Sequence, residues 1–358
     1  MPETIYRTRR AVRIERDGLR VTALVEGGHI AEIAHTDTSV SPLWTPPWPS
    51  IEHSAYNRGR HPEYGSDAES KLLAGIMGHN LCMDFFGPPS DEEAAAGLTV
   101  HGEASVVPYQ IEAGASEMLA RAAFPVAQLR FERRVRICPG GRVVRFSETV
   151  ENVSAADRPI AWTEHVTLGP PFLEKGSTEF RASATRSKVE EADSTGGMMY
   201  MKAGAEFDWP NVLHKDGGAT DLRVFTDAAA SSCFTSHLMD PAREQAFFMA
   251  FSPRSKLLFG YVWRRADFPW LGIWEENYAR TTPPWNGKTL TRGMEFGVSP
   301  IAESRRSMID RNRLFDTPCY RWIPAKSSRH VEYCAFLAAA ARIPESVSWH
   351  GGDSVEFS

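Results

Sequence analysis

The sequence has 358 residues, with 40 lysines and arginines nearly balanced by 45 aspartates and glutamates, giving a formal net charge of −5. A balance this even predicts no attraction to nucleic acid or to an acidic membrane, and no stretch approaches the roughly 20 apolar residues of a membrane span. The five cysteines are scattered and lack CxxC spacing, so we expect reduced, mostly buried thiols. No apolar segment follows the first residues, which predicts a cytoplasmic protein without a signal peptide.

The first hundred residues predict short strands, then a loop and two short helices. Apolar residues alternate between residues 11 and 34, with a turn at Gly27-Gly28. Prolines exclude regular structure in residues 44–49, and residues 51–65 are polar, which predicts a long loop. The capping-box spacing of Ser66 and Glu69 predicts a helix over 66–73, and residues 91–96 predict another.

Strand patterns dominate from residue 99 onward. Alternation over 129–150 around Pro139-Gly140-Gly141 predicts a β-hairpin, and residues 247–263 predict a second one. Further strands are predicted near 222–226, 270–276 and 293–298. Residues 302–315 predict a helix, and 331–339 fit either a strand or a helix. Many short strands with few helices indicate an all-β sandwich or barrel, which we expect to be one domain over residues 1–358.

One strand carries the first candidate functional residue. The segment from Trp162 to Leu168 alternates and stops at Gly169-Pro170-Pro171, so Thr163 and His165 share one face, with Trp162 and Glu164 on the other. Loops and pockets commonly form at such a strand end. A structural histidine hydrogen-bonded within the sheet is the alternative interpretation of His165.

Two other polar clusters are candidates to converge on His165. His101-Gly102-Glu103 follows a short predicted strand, which would place His101 and Glu103 on one side, and Trp274-Glu275-Glu276-Asn277 ends another strand. A base and an acid held across a pocket could move protons to and from a neutral substrate. A turn cap for His101 and a solvated strand end for the two glutamates are the alternatives. Tryptophans such as Trp209, Trp263 and Trp274 are expected in the core, although an aromatic face also stacks on sugars.

The order of these landmarks resembles the aldose 1-epimerase (galactose mutarotase-like) family. The resemblance covers roughly residues 20–302 and is carried by five landmarks in chain order: Gly27-Gly28 with Ile30 and Ile33, His101-Gly102-Glu103, Glu148-Thr149-Val150-Glu151-Asn152, His165, and Gly272 to Asn277 followed by Leu290 to Phe296. It implies a large antiparallel β-supersandwich with a few short helices, a sugar in an open cleft on one sheet, and no metal or organic cofactor. Residues 303–358 would be a C-terminal extension packed on that domain.

The resemblance also implies residue roles. His165 would be the acid that protonates the ring oxygen, Glu275 the base that removes the anomeric proton, and His101 a second histidine that orients the sugar. Glu276 is the alternative to Glu275 as base. Further sugar contacts are implied for a set of polar and aromatic residues: His79, Asn80, Arg58 (or Arg60, in place of the family's arginine), Glu103, Asp208, Trp274 and Glu276.

Three other functions compete with an isomerase acting on a small-molecule carbohydrate. A non-catalytic carbohydrate-binding protein of the same fold would need no acid–base pair. A metal-dependent β-barrel enzyme would use His101, Glu103 and His165, but the chain lacks the HxH spacing common in such sites. A lyase or hydrolase would use Glu103 and Glu275 as paired carboxylates, held roughly 5–9.5 Å apart in hydrolases. Neither the preferred sugar nor the oligomeric state follows from the sequence.

Overall fold

Two large antiparallel β-sheets form the body of the protein. The computed structural model describes residues 3–38, 40–193 and 197–358. We call the eleven-stranded sheet the cleft sheet and the eight-stranded sheet the back sheet. In spatial order the cleft sheet contains Thr4–Tyr6, Arg9–Arg16, Leu19–Leu24, Ile30–His35, His79–Cys82, Thr163–Leu168, Leu290–Gly297, Trp270–Asn277, Ser231–Met239, Ala184–Val189 and Glu206–Asp208.

The back sheet and four small ribbons complete the strands. In spatial order the back sheet contains Glu179–Ala182, Gln245–Ser252, Leu257–Arg264, Ser328–Ala339, Val143–Asn152, Leu129–Ile137, Glu117–Phe124 and Gln110–Ala113. The ribbons pair Arg158–Ile160 with Arg321–Ile323, Asn211–Leu213 with Ala219–Asp221, Arg313–Leu314 with Thr317–Pro318, and Val347–Trp349 with Val355–Phe357. The described helices are short: Pro62–Tyr64, Ser70–Leu73, Asp91–Ala95 and Arg305–Arg311. These features confirm the expected all-β fold with large antiparallel sheets and few helices.

Side-chain alternation decides which residues enter the core between the sheets. On Thr163–Leu168, Val166 and Leu168 belong to the main hydrophobic cluster, whereas His165 faces away from it. Aromatic rings fill the middle of this core, with Phe146 stacked on Tyr333 at 4.9 Å between ring centroids. Because loops cover the outer face of the cleft sheet as well, its central strands are buried on both faces.

An ionic network lies inside this core, directly beneath the strand of His165. Arg133 donates from Nε to Glu148 (2.6 Å) and from Nη2 to Glu164 (2.7 Å). Tyr333 donates to Glu148, and His79 Nε2 lies 2.7 Å from Glu164 Oε2. Burial raises the pKa of Glu148 to about 7. Two carboxyl groups thus depend on one guanidinium, an arrangement that is costly to break in a low-dielectric interior.

Several local predictions are confirmed. Both hairpins form, the strands within residues 11–34 are present, and Ser328–Ala339 resolves the ambiguity at 331–339 as a strand. The helix at Asp91–Ala95 begins with a capping box in which Ser90 Oγ accepts from Glu93 N. All five cysteines are free and buried, as expected.

Other local predictions are wrong. The helix predicted over 66–73 contains only Ser70–Leu73. It begins later because Asp67, and not Ser66, accepts hydrogen bonds from the backbone N–H groups of residues 69 and 70. The helix predicted over 302–315 contains only Arg305–Arg311. No strand covers 222–226; the strand lies earlier, at Ala219–Asp221.

The C-terminal residues are not merely packed onto the outside of the fold. Ser328–Ala339 is an inner strand of the back sheet, paired with Val143–Asn152 on one side and Leu257–Arg264 on the other. The main hydrophobic cluster accordingly draws residues from Ile14 to Leu337. We therefore propose that the chain folds as one domain to which residues 303–358 are integral. Within the described ranges, every helix is too short or too polar to cross a membrane.

Candidate functional site

A cavity of about 450 Å³ lies on the outer face of the cleft sheet, away from the back sheet. Three adjacent strands provide its floor through His165, Glu295 and Trp274. Loops and the chain before Arg305–Arg311 provide its walls, including His101, Phe86 and Ile301 at the rim. A volume of this size is typical of small-molecule sites.

His165 and Glu295 form the polar centre of the floor. They are paired residues on neighbouring antiparallel strands, so the sheet register places their side chains side by side. His165 Nε2 lies 3.1 Å from Glu295 Oε1, and both side chains are almost fully buried. Glu295 Oε1 nonetheless lacks an aligned hydrogen bond. A buried carboxyl oxygen without a partner indicates a place for a ligand group.

Glycines keep the carboxyl group of Glu295 close to the sheet. A Cβ atom built on Gly293 would lie 2.1 Å from Glu295 Oε1, and one on Gly272 would lie 3.4 Å from Oε2. A larger residue at position 293 would therefore push the carboxyl group out of place. The carboxyl group of Glu295 thus fills the space over Gly293, which pairs with Trp274 across the strands, and the Phe234 ring fills the space over Gly272, 2.8 Å from such a Cβ.

His101 reaches the same point from a loop rather than from a strand. Its backbone has a φ of 69°, and its N–H donates to the carbonyl of Gly87 (2.9 Å). The ring lies 4.9 Å from the ring of His165 and stacks on Phe86 at 5.9 Å, measured between centroids. Its Nδ1 is buried without a hydrogen-bond partner. The structure thus brings His101 and His165 together, as the sequence predicted, and adds Glu295.

Burial makes the uncharged forms of these three groups the stable ones. It raises the pKa of Glu295 well above the usual range of a carboxyl group. It lowers the pKa of His165 to about 4 and, with the neighbouring His165, lowers that of His101 well below its ordinary value. Near neutral pH the imidazole of His165 is therefore uncharged and can accept a proton, and burial shifts the neighbouring Glu295 toward the carboxylic acid, the form that can donate one.

Thr167 positions the imidazole of His165. Its Oγ1 lies 3.0 Å from His165 Nδ1, two residues along the same strand and on the same face. The contact leaves Nε2 as the nitrogen that faces Glu295.

If Thr167 holds His165 in place, Thr167→Val should lower kcat/KM for the substrate about fivefold to tenfold, because one hydrogen bond of roughly 1 kcal/mol is lost. Thr167→Ser keeps the hydroxyl and should retain most of the activity. Kinetics of both variants, with circular dichroism to check folding, measure this. Full activity in Thr167→Val beside a loss in Thr167→Ser would show that packing of the methyl group, and not the hydroxyl, matters.

An arginine that was not among the predicted site residues lies against Trp274 and Trp285, two aromatic side chains of the cavity lining. The guanidinium of Arg280 sits 4.6 Å from the centre of the Trp285 ring and 5.6 Å from that of Trp274. It also lies 3.3 Å from Glu69 and 3.4 Å from Glu276. Arg280 therefore lines the cavity, which Arg58 does not. In the sequence, the i,i+4 spacing between Glu276 and Arg280, just after a predicted strand, is the pattern that indicates this arginine.

Glu275 does not reach the cavity, so its assignment as the base is corrected. It shares a strand face with Leu271 and Ile273, which lie in the core between the sheets. There it accepts from Ser231 Oγ (2.6 Å) and from Arg292 Nη2 (3.2 Å). Glu275 is thus a structural ion-pair partner. Glu276 points to the cavity side, but its Oε1 accepts from the backbone N–H groups of residues 279 and 280.

Two further expected sugar ligands are structural. His79 points into the core, where it contacts Glu164 and the hydroxyl of Tyr261 at 3.0 Å. Glu103 does not share a side with His101: its carboxyl group accepts from the backbone N–H of Ala127 (2.8 Å). Neither residue lines the cavity. The proposed carboxylate pair of Glu103 and Glu275 is therefore not present at this site.

The remaining candidates divide between the site, the interior and the surface. Trp274 lines the cavity, whereas Asn80 is absent from the lining: it is buried opposite His165 in register, with Nδ2 donating to Ser105 Oγ (2.9 Å). Arg58 is exposed on the predicted loop, and Asp208 is exposed on an edge strand. Both lie outside the cavity lining, so they are corrected as sugar contacts.

Comparisons with known proteins agree with this architecture. No family profile matches the chain, and no curated protein resembles it in sequence. Among solved structures, a candidate aldose 1-epimerase from Klebsiella pneumoniae superposes with a TM-score of 0.66 at 15% identity, covering 93% of this chain and 80% of that one.

Two other structures are similar over nearly their whole length. A candidate aldose 1-epimerase from Escherichia coli K12 gives a TM-score of 0.61 at 11% identity, covering 92% of this chain and 99% of that one. A galactose mutarotase-like protein from Clostridium acetobutylicum gives 0.60 at 12% identity, covering 94% and 98%. At such identities the likeness concerns the fold, and the resemblance noted in the sequence is confirmed at that level. The chain therefore has the galactose mutarotase-like fold.

Proposed function

We propose that this protein is an aldose 1-epimerase-like isomerase that interconverts the anomers of a sugar. The observation that carries the proposal is the pairing of His165 with Glu295, 3.1 Å apart on the floor of a cavity and beside His101. Interconversion of anomers requires one proton to reach the ring oxygen and another to leave the anomeric hydroxyl. Both oxygens are bonded to the same carbon, so an acid and a base on neighbouring strands can serve them together.

The directions of the two pKa shifts support one direction of proton transfer. Glu295, as a carboxylic acid, donates its proton to the ring oxygen while His165 Nε2 accepts the proton of the anomeric hydroxyl. The bond between C1 and the ring oxygen breaks, leaving an open-chain aldehyde beside a carboxylate and an imidazolium. Their proximity stabilises this ion pair in the buried site.

Ring closure reverses both transfers after rotation about the C1–C2 bond. The carboxylate of Glu295 takes the proton from the chain hydroxyl as that oxygen attacks C1 on the other face. The imidazolium of His165 returns its proton to the carbonyl oxygen, and the site regains its starting forms. His101, whose Nδ1 lacks a protein partner, orients the sugar by hydrogen bonding to a hydroxyl. The roles of Glu295 and His165 are thus exchanged relative to those that the resemblance implied for Glu275 and His165.

The experiment is polarimetry of freshly dissolved α-anomers from a panel of reducing sugars, with the protein and with buffer alone. We expect faster decay of optical rotation to the equilibrium value for at least one sugar, and loss of the acceleration in His165→Ala. Binding of a sugar without any acceleration would instead indicate a non-catalytic carbohydrate-binding protein. A small-molecule carbohydrate and the cytoplasmic location are part of the same proposal.

The pH profile follows from the two shifted groups. Activity needs neutral His165, whose pKa is about 4, so kcat/KM should stay flat through neutral pH and fall to half only near pH 4. It also needs protonated Glu295, whose raised pKa puts the alkaline limb well above the usual range of a carboxyl group. Initial rates corrected for spontaneous anomerisation give this profile. An acidic limb near 6.5 would mean an unshifted imidazole and contradict the assignment.

A further inference from the structure

We propose that the cavity takes an uncharged reducing sugar that carries an apolar substituent away from its anomeric carbon. That the sugar is reducing rests on the proposed function. The absence of charge and the apolar substituent follow from the cavity lining alone.

The charges around the cavity disfavour an anionic ligand. Its described lining includes a single permanently charged cation, Arg280, and three acidic side chains besides Glu295, for which burial favours the uncharged form: Glu69, Glu190 and Glu191, the last already bound by Lys188 and Arg311. Arg280 is already engaged by Glu69 and Glu276 at 3.3 and 3.4 Å. A phosphate group needs uncommitted cations or N–H donors. A phosphorylated sugar would therefore find no uncommitted cation in the described lining, whereas a neutral sugar needs none.

Apolar side chains form most of the walls. One hydrophobic cluster contributes Leu73, Ile76 and Trp285, and a second contributes Phe86 and Phe234. Trp274 packs against both clusters, so the apolar surface is continuous around the cavity. An unmodified hexose presents a hydroxyl on almost every carbon, and each hydroxyl buried against such a wall without a partner costs about tenfold in affinity.

Two polar atoms without an aligned hydrogen bond, His101 Nδ1 and Glu295 Oε1, belong to side chains that both lie beside His165, whereas Arg280 and Glu69 elsewhere in the lining form an ion pair. The two imidazole rings lie 4.9 Å apart, and His165 Nε2 lies 3.1 Å from Glu295 Oε1. These three side chains can therefore bind the oxygens at the anomeric carbon and on the carbons next to it. The cavity volume of about 450 Å³ lies in the range of sites for drug-sized ligands rather than for a single small ring. Space lined by apolar residues thus remains beyond the sugar, and an alkyl or acyl group fits it.

The test compares sugars that differ at one position. The probes are D-glucose and D-galactose, their 3-O-propyl and 6-O-propyl ethers, and their 6-phosphates. Calorimetry measures binding, and proton NMR measures anomer exchange of each probe. We expect at least one ether to bind tenfold or more tightly than its parent, because each buried methylene contributes about fourfold. We expect the phosphates to bind at least tenfold more weakly than the parents.

Variants locate the preference in the cavity wall. Ile76→Thr should reduce the ratio of ether to parent affinity about tenfold. Ile343→Thr is the matched control: Ile343 is 6% exposed against 5% for Ile76, but it packs behind the back sheet. This control should leave the ratio unchanged. An equal reduction in both variants would overturn the placement of the substituent.

Failure of this inference differs from failure of the proposed function. Parents or phosphates that bind as tightly as the ethers overturn the substrate class, even if anomer exchange is fast. Ethers that bind preferentially without exchange support the apolar subsite and overturn the isomerase. No binding of any probe overturns the inference together with the proposed function.

Discussion

Glu295→Gln should lower kcat/KM for anomer interconversion about 10²- to 10⁴-fold, the usual contribution of a positioned general acid. Glutamine keeps the size of the side chain and its place beside Gly293, but it cannot give up a proton and take it back. The measurement is the initial rate of polarimetric change for the best substrate, after subtraction of the spontaneous rate. Circular dichroism and the denaturation midpoint establish that the variant is folded.

Glu275→Gln is the control for this prediction, because it makes the same change on the neighbouring strand but on the opposite face of the sheet. Glu275 accepts from Arg292 and Ser231 in the core, so the variant should lose about 1.5–3 kcal/mol of stability through a weakened charged hydrogen bond. Its activity per folded molecule should match the wild type. An inactive Glu275→Gln variant beside an active Glu295→Gln variant would restore the assignment implied by the family resemblance.

Arg133→Met should lower the free energy of unfolding by about 3–5 kcal/mol, the range expected when one partner of a buried ion pair is removed. The Arg133 side chain is 2% exposed and serves both Glu148 and Glu164. Without it, two carboxyl groups share a dry interior with no compensating cation. Urea denaturation at pH 7.5 measures the change.

Arg130→Met on the same strand is the matched control. Arg130 is 67% exposed and lies 3.5 Å from Glu151 at the surface, so its loss should cost at most about 1 kcal/mol.

The two variants should also differ in pH dependence. The pKa of Glu148 is raised in the folded state to about 7, so folding favours the protonated form, and stability falls as pH rises between the unfolded pKa and 7. Removing Arg133 raises that pKa further and should extend the fall to higher pH. Equal, pH-independent losses in both variants would contradict the role of the network.

Strand periodicity accounts for much of what the sequence predicted. The alternation around His165 correctly separated its face from that of Glu164, because a strand has only two faces. Alternation also shows that Glu275 and Glu276 face opposite ways, but not which of them faces the cleft. Both faces of that strand are apolar, since loops cover the sheet, so the usual polar-outward rule does not apply.

The sequence around Glu295 contains a pattern that distinguishes it from the other glutamates. In Gly293-Met294-Glu295-Phe296-Gly297, the apolar residues alternate with a glutamate flanked by two glycines on its own face. A carboxyl group between two residues without side chains is an unusual strand pattern, and in the structure the carboxyl group itself occupies the space over Gly293, while Thr163 fills the space over Gly297. The positions of His101 and Arg280 depend on loop conformation and on contacts between distant segments. The family order or local spacing could suggest them, but strand periodicity contains no information about them.

Two-dimensional exchange NMR on an equilibrated sugar, with a catalytic amount of the wild-type protein, observes the proposed reaction itself. We expect cross-peaks between the α- and β-anomeric protons that are absent in buffer and absent with Glu295→Gln. A sugar that binds in the cavity but shows no cross-peaks, or cross-peaks of equal intensity with both proteins, would contradict acid–base catalysis by His165 and Glu295.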